Sequence, residues 1–265
     1  MSADPDEFGG RIALVTGAAG QGIGRAIAAR LCAGGARVVI TDIHKGRVAD
    51  VTAELANTAA PGTVFGKHLD VSDTDAIEAV MREVHDEIGP VQLLVNNAAY
   101  NVMAPIWDYT LEDWRHVMDV NLNGPWLLSK FAMIQMRAAG GGAIANISTV
   151  APDIGGLGLE GPYAVSKGGL NVLTRSCAHE GGPHGIRANT VTMGIVRGTR
   201  FADVLQPDLT EDAERTTPLG RLPDPTDIAE TTAFLLSERA RSITGETINV
   251  SAGGSCATDG WRQVK

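Results

Sequence analysis

Seven short apolar runs alternate with longer amphipathic stretches along this chain, and that alternation constrains the fold more than any other feature. The runs are rich in β-branched residues and span 11–16, 37–41, 63–69, 91–95, 143–147, 186–191 and 247–250. Each has the length of a strand buried on both faces. Between them, over 24–34, 49–59, 73–88, 111–139, 162–180 and 225–236, apolar residues recur at three and four, the spacing of a helix with one buried stripe. Continuous apolar strands alternating with helices predict a parallel sheet covered on both sides. The expected fold is therefore α/β: a doubly wound, seven-stranded parallel sheet in a three-layer α/β/α sandwich.

No Pro/Ser-rich linker, low-complexity block or internal repeat breaks the pattern, so a single domain is expected over 10–265, after an acidic, flexible and solvated tail at 1–9. The segment 194–222 has no period, being interrupted by Arg197, Gly198, Pro207, Asp208 and Pro218. A loop of that length beyond a strand end is expected to be a mobile lid over a ligand site. The first ten residues lack a secretory apolar core, and no apolar run is long enough to span a bilayer, which predicts no membrane association. A net charge of −9 argues against a nucleic acid partner. Cys32, Cys177 and Cys256 lie far apart without a CxxC spacing, which predicts free thiols in a reducing, cytoplasmic setting. The histidines form no HExxH or other paired spacing, so no metal site is expected.

Glycine supplies 32 of the 265 residues without a collagen period, so the surplus must serve particular turns. The first run ends in Thr16-Gly17-Ala18-Ala19-Gly20-Gln21-Gly22-Ile23-Gly24, with a predicted helix directly after it. Such glycines let backbone approach a pyrophosphate, and the helix start offers free N–H groups and a positive dipole end. A tight turn alone would also be glycine-rich, but Asp42 lies 18 residues beyond Gly24, near the offset at which a carboxylate reaches the adenosine ribose. Two unit charges about 4 Å apart repel by on the order of 4 kcal/mol at an effective dielectric of 20. Asp42 therefore disfavours a 2′-phosphate and points to NAD(H), with His44 and Lys45 close enough to soften the preference.

A second constellation lies downstream. Tyr163 and Lys167 are four apart at the start of a predicted helix and so share a face. An ammonium beside the phenol is expected to favour the phenolate and give a usable acid/base. Ser148 follows a predicted strand at once and projects toward the same rim. Pro125 lies four residues after Asn121 in the predicted 111–139 helix. It lacks the N–H that would bond the Asn121 carbonyl, which leaves that carbonyl open to a water on a proton path.

These motifs, in this order together with Asp70-Val71, Asn96-Asn97-Ala98-Ala99 and Ile243-Thr244-Gly245, resemble the single-domain short-chain dehydrogenase/reductase family from about Gly10 to Gly254. The resemblance implies a Rossmann-type fold and a catalytic set of Asn121, Ser148, Tyr163 and Lys167. It also implies a cofactor held by Gly17, Gly22, Ile23, Gly24, Asp42, Ile43, Asp70, Val71, Asn97, Ala98 and Ala99. Tyr163 and Lys167 would hold the nicotinamide ribose, with Val196 and Thr199 near the nicotinamide. Departures are a glycine turn one residue longer than usual, Ala99 where glycine is usual, and Met193-Gly194 in place of Pro-Gly with the threonine displaced to Thr199.

The implied reaction is hydride transfer between nicotinamide and a secondary alcohol or ketone. The expected lining, including Tyr100, Met103, Ile154, Leu159, Met193 and Ile195 with Asn101, Asp153 and Arg197, suits an apolar, cyclic or steroid-like small molecule. Reduction of a 3-oxoacyl group on acyl carrier protein is an alternative, disfavoured because the two long helices end with little basic charge, at Arg137 and at His179-Glu180. A cofactor-binding regulator without turnover would be expected to lack Tyr163 or Lys167. Family members assemble as homotetramers through the two long helices and the last strand, and Val117, Leu128, Met133 and Met136 are apolar positions suited to that contact.

Overall fold

The computed structural model describes residues 4–199, 202 and 207–256. Each predicted run forms a strand: β1 (Ile12–Val15), β2 (Arg37–Asp42), β3 (Val64–His68), β4 (Val91–Asn96), β5 (Gly142–Ile147), β6 (Ile186–Thr192) and β7 (Thr247–Asn249). They form one parallel seven-stranded sheet in the order β3-β2-β1-β4-β5-β6-β7. Leu14 of β1 pairs with Val39 on one side and Leu94 on the other. The winding reverses between β1 and β4, which opens a crevice beyond their carboxyl ends, the usual ligand position in such sheets.

The helices are α1 (Ile23–Ala33), α2 (Lys45–Ala56), α3 (Thr74–Glu87), α4 (Leu111–Met118), α5 (Gly124–Ala138), a single turn α6 (Ala151–Ile154), α7 (Gly161–Gly181), α8 (Pro207–Thr216) and α9 (Pro225–Leu236). Alternate strand residues serve opposite faces. Ala13, Val15, Val38 and Ile40 pack with Ile27 and Leu31 of α1, Val51 of α2 and Leu236 of α9. Leu14, Val39 and Leu94 pack with Ile77 and Met81 of α3 and Leu128 and Met136 of α5. Burial on both faces is why these strands read as unbroken apolar runs, each large side chain contributing about 1.5–3 kcal/mol. A buried polar ladder ties the long helices to the sheet. Asn96 Nδ2 donates to Asn146 Oδ1 at 2.8 Å, Asn146 Nδ2 to Thr174 Oγ1 at 2.8 Å, and the Thr174 and Thr190 hydroxyls lie 2.7 Å apart.

Four expectations need correction. The 111–139 stretch is not one helix: a π turn at Asp119–Asn123 separates α4 from α5, with the Gly124 N–H bonded to the Asp119 carbonyl. Pro125 cannot supply the next donor, and the extra residue is absorbed as a π bulge. The expected lid contains α8, a charge-rich helix starting at Pro207; residues 200, 201 and 203–206 of that segment lie outside the described residues. The tail is not solvated throughout. Residues 1–3 lie outside the described residues, but Phe8 is 1% exposed in the core, and Glu7 pairs with Arg30 at 2.6 Å and Arg239 at 2.8 Å. Finally, Val117, Leu128 and Met136 face the core rather than a partner. The exposed apolar positions of the long helices are Trp126 and Ile134 on α5 and Val165 and Val172 on α7. Among the described residues, no helix is long and apolar enough to cross a membrane.

Candidate active site

A cleft of about 920 Å³ lies beyond the carboxyl ends of the strands, lined by Gly17, Gly22, Ile23, Gly24, Asp42, Ile43, Asp70, Val71, Asn97, Ala98, Ala99 and Thr199 among others. Thr16 organises its floor: the Thr16 hydroxyl accepts the N–H groups of Asn97 at 2.9 Å and Ala98 at 3.0 Å. Asn97 Nδ2 donates back to the Thr16 and Gly17 carbonyls, which rivets the glycine turn to the end of β4. A Cβ on Gly24 would stand 2.4 Å from Asn97 Nδ2 and 2.5 Å from the Gly17 carbonyl, so only glycine lets α1 start this close to the strand. Gly22, at φ 142°, precedes α1 with no side-chain cap. The first N–H groups of α1 therefore have no acceptor within the helix, a cradle that fits an anionic pyrophosphate.

The additional residue of the turn is anchored through Asp42. Asp42 Oδ2 accepts the Ala19 N–H at 3.2 Å and Oδ1 the His44 N–H at 3.0 Å, which fixes the carboxylate with lone pairs to spare for ribose hydroxyls. Arg47, which the sequence reading passed over, comes within 4.0 Å of Asp42 Oδ1 and lines the same cleft. Asp70 Oδ1 accepts the N–H and hydroxyl of Ser72. Val196 departs from expectation: it is 3% exposed and its side chain belongs to the core, while the Thr199 hydroxyl donates to its carbonyl at 2.8 Å.

Tyr163, Lys167 and Ser148 come together at the start of α7 and the end of β5. Lys167 is 2% exposed; its Nζ donates to the Ile147 carbonyl at 2.9 Å and lies 5.7 Å from the centre of the Tyr163 ring. Ser148 Oγ lies 3.5 Å from the Lys167 carbonyl. Asn121 is not hydrogen-bonded to these three. Its amide donates to the Tyr100 carbonyl at 2.7 Å and accepts the Tyr100 N–H at 2.9 Å, so the side chain holds the loop after β4.

The expected lowering of the tyrosine does not follow from its surroundings in this structure. Burial, and next the Glu160 carboxylate, hold the Tyr163 phenol above its ordinary value. Burial also pushes the Lys167 ammonium down to about 8. A desolvated cation directed at a carbonyl cannot offset the desolvation of the phenolate. Glu160 was missed by the sequence reading, since a glutamate at a helix start reads as a solvated first-turn carboxylate. Its carboxyl is raised by burial, and Asn101 Nδ2 donates to Oε1 at 2.6 Å. Arg197, expected in the substrate lining, pairs with Glu214 of α8.

Comparison with known proteins places this geometry among relatives. A family model described as Enoyl-(Acyl carrier protein) reductase matches residues 17–255. The chain is 34% identical over 97% of its length to meso-2,3-butanediol dehydrogenase of Serratia marcescens, covering 99% of that protein. It is 35% identical over 92% of its length to a 3-oxoacyl-acyl-carrier-protein reductase of Vibrio harveyi, covering 97% of it. The crystal structure of a protein described as a short-chain alcohol dehydrogenase, from Sinorhizobium meliloti, superposes with a TM-score of 0.87 at 31% identity, over 94% of this chain and 98% of that one.

Proposed function

The chain belongs to the short-chain dehydrogenase/reductase family and is an oxidoreductase of alcohol or carbonyl groups that uses a nicotinamide dinucleotide; from that premise we propose that it prefers NAD(H) and acts on a secondary alcohol or ketone with a largely apolar body. The observation that carries the reading is the grouping of Ser148, Tyr163 and buried Lys167 beside a cleft whose glycine turn and Asp42 carboxylate suit the cofactor.

Gly17 and Gly22 to Gly24 would hold the pyrophosphate, Asp42 the adenosine ribose, and Asp70 the adenine. When bound, the dinucleotide supplies or accepts the hydride. Tyr163 gives its phenolic proton to the substrate oxygen in reduction and takes the hydroxyl proton in oxidation. Ser148 donates to that oxygen as charge develops on it. With the phenol held high, Tyr163 is set as a proton donor at neutral pH, and alcohol oxidation is expected to need more alkaline conditions than ketone reduction. The carrier-protein reading gains no support from the helix ends, where Arg137 is the one basic residue of the last turn of α5. Assembly as a homotetramer is part of the proposal, supported by the exposed apolar positions Trp126, Ile134, Val165 and Val172, as is a cytoplasmic setting, supported by the free thiols of Cys32 and Cys177.

Following reduced-cofactor absorbance with NAD or NADP and a panel of secondary alcohols tests the reading. A higher kcat/KM with NAD is expected, and Tyr163→Phe should lower kcat by about 10²–10⁴ while leaving cofactor binding intact. A clear preference for NADP would sink the cofactor assignment. Full activity of the Phe variant would sink the mechanism.

A further inference from the structure

Glu160 is a buried carboxylate that the mechanism above leaves unused. It is 5% exposed and stands at the N-cap of α7, three residues before Tyr163. Its side chain does not cap the helix. Instead Oε1 accepts the Asn101 amide, and among the described residues no cation and no second donor meets the carboxylate. Asn101 Oδ1 is itself buried without a hydrogen-bond partner. The nearby Tyr109 hydroxyl is committed elsewhere, to the carbonyls of Val102 and Leu159. A largely buried carboxylate with one neutral donor is under-compensated, and its second oxygen, which unlike Asn101 Oδ1 is not sealed from the surface, is open to a donor that arrives from outside.

The position indicates what that partner is attached to. Glu160 stands one residue before α7 and three before Tyr163, and its carboxylate is near enough for its charge to act on the phenol. A group carried next to the reacting carbon of a molecule bound at Tyr163 is therefore the external partner closest to it. We infer that Glu160, oriented by Asn101, is a specificity-determining acceptor for a hydrogen-bond donor, a hydroxyl or a protonated amino group, carried by the substrate next to its reacting carbon. The inference rests on the oxidoreductase reading and narrows its substrate class to alcohols and ketones bearing a neighbouring donor. The contact also bears on catalysis. Glu160 is one of the two causes that hold the Tyr163 phenol high, so a cation seated on it relieves that repulsion and eases proton removal by Tyr163.

The test compares kcat/KM for butan-2-ol, butane-2,3-diol and 3-aminobutan-2-ol in the wild type and in Glu160→Gln, which keeps the side-chain shape and the acceptor for Asn101. The wild type is expected to favour one or both donor-bearing alcohols over butan-2-ol by about tenfold or more, the worth of one charge-assisted hydrogen bond. Preference for the diol identifies a hydroxyl, and preference for the amino alcohol an ammonium. Glu160→Gln should erase the preference through KM, while the change in kcat that follows from removing a charge beside the Tyr163 phenol should be shared by all three alcohols. Equal wild-type handling of all three, or an unchanged preference in the variant, overturns the inference and leaves the oxidoreductase reading standing. The wild-type comparison needs no variant, so poor folding of E160Q leaves the outcome decidable. Absence of turnover on every alcohol with either cofactor overturns the oxidoreductase reading, and this inference with it.

Discussion

Lys167 shows how a single residue trades stability for chemistry. Burial pushes its ammonium down to about 8 from an ordinary value of 10.5. Between those values the unfolded chain holds a proton that the folded chain has released, so stability rises with pH across that window. Below about pH 8 both states are protonated, and the buried charge is a standing cost. Lys167→Met should therefore stabilise the protein at pH 7 by roughly 1–2 kcal/mol, the loss of the bond to the Ile147 carbonyl offsetting part of the gain. The gain should fade as pH approaches 10. Melting curves at both pH values check this, and activity is expected to fall at least about 100-fold. The Tyr163–Lys167 spacing was plain in the sequence, yet the sign of the tyrosine shift was not. That sign depends on how far the phenol is desolvated and on Glu160, which the spacing does not report.

At the scale of elements, the π turn at Asp119–Asn123 is the departure from regularity that matters most for the site. It places Asn121 against the backbone of Tyr100 and brings the turn beside α7, where Leu122 fills the space a Cβ on Gly169 would take. Pro125 was visible in the sequence as a helix breaker, but a kink and a π bulge both follow from a missing N–H. Packing of the segment against α7 selects between them. Pro125→Ala restores the donor and should let the segment relax toward an α-helix, lowering kcat on the order of tenfold with little change in cofactor KM. An unchanged pH–rate profile in that variant would count against a proton path through this turn. The helix α8 escaped detection for a simpler reason: it is ten residues long and rich in charge, with too few apolar residues for a buried stripe to be read from the sequence.

Across the whole molecule, the N-terminal segment acts as a clasp on the face opposite α3 and α5. Phe8 enters the core beside Gly34, where a Cβ would come within 2.6 Å of its ring, and Glu7 bridges Arg30 of α1 and Arg239 after α9. Arg30 in turn meets Glu230 of α9 at 2.9 Å. Phe8→Ala is expected to cost about 3 kcal/mol, lowering Tm by roughly 10 °C, with kcat/KM unchanged because the clasp touches no residue of the cleft. Differential scanning calorimetry beside steady-state kinetics separates the two effects. A fall in kcat/KM of the folded variant would show that the clasp reaches the site.

The sequence by itself determined the architecture and the chemical repertoire. Strand and helix periodicities are local properties, and doubly buried strands must be written as apolar runs whatever surrounds them. The glycine turn, Asp42, Ser148 and the Tyr163/Lys167 pair were legible for the same reason, since each depends on spacing within one segment or on the end of one strand. Tertiary structure alone decided the electrostatic setting. Asn101 meets Glu160 from 59 positions away, Ala19 locks Asp42 at the end of the neighbouring strand, and Phe8 finds its place between elements joined much later in the chain. Desolvation and Coulomb interactions sum over whatever the fold brings near, in a low-dielectric interior that no local pattern records.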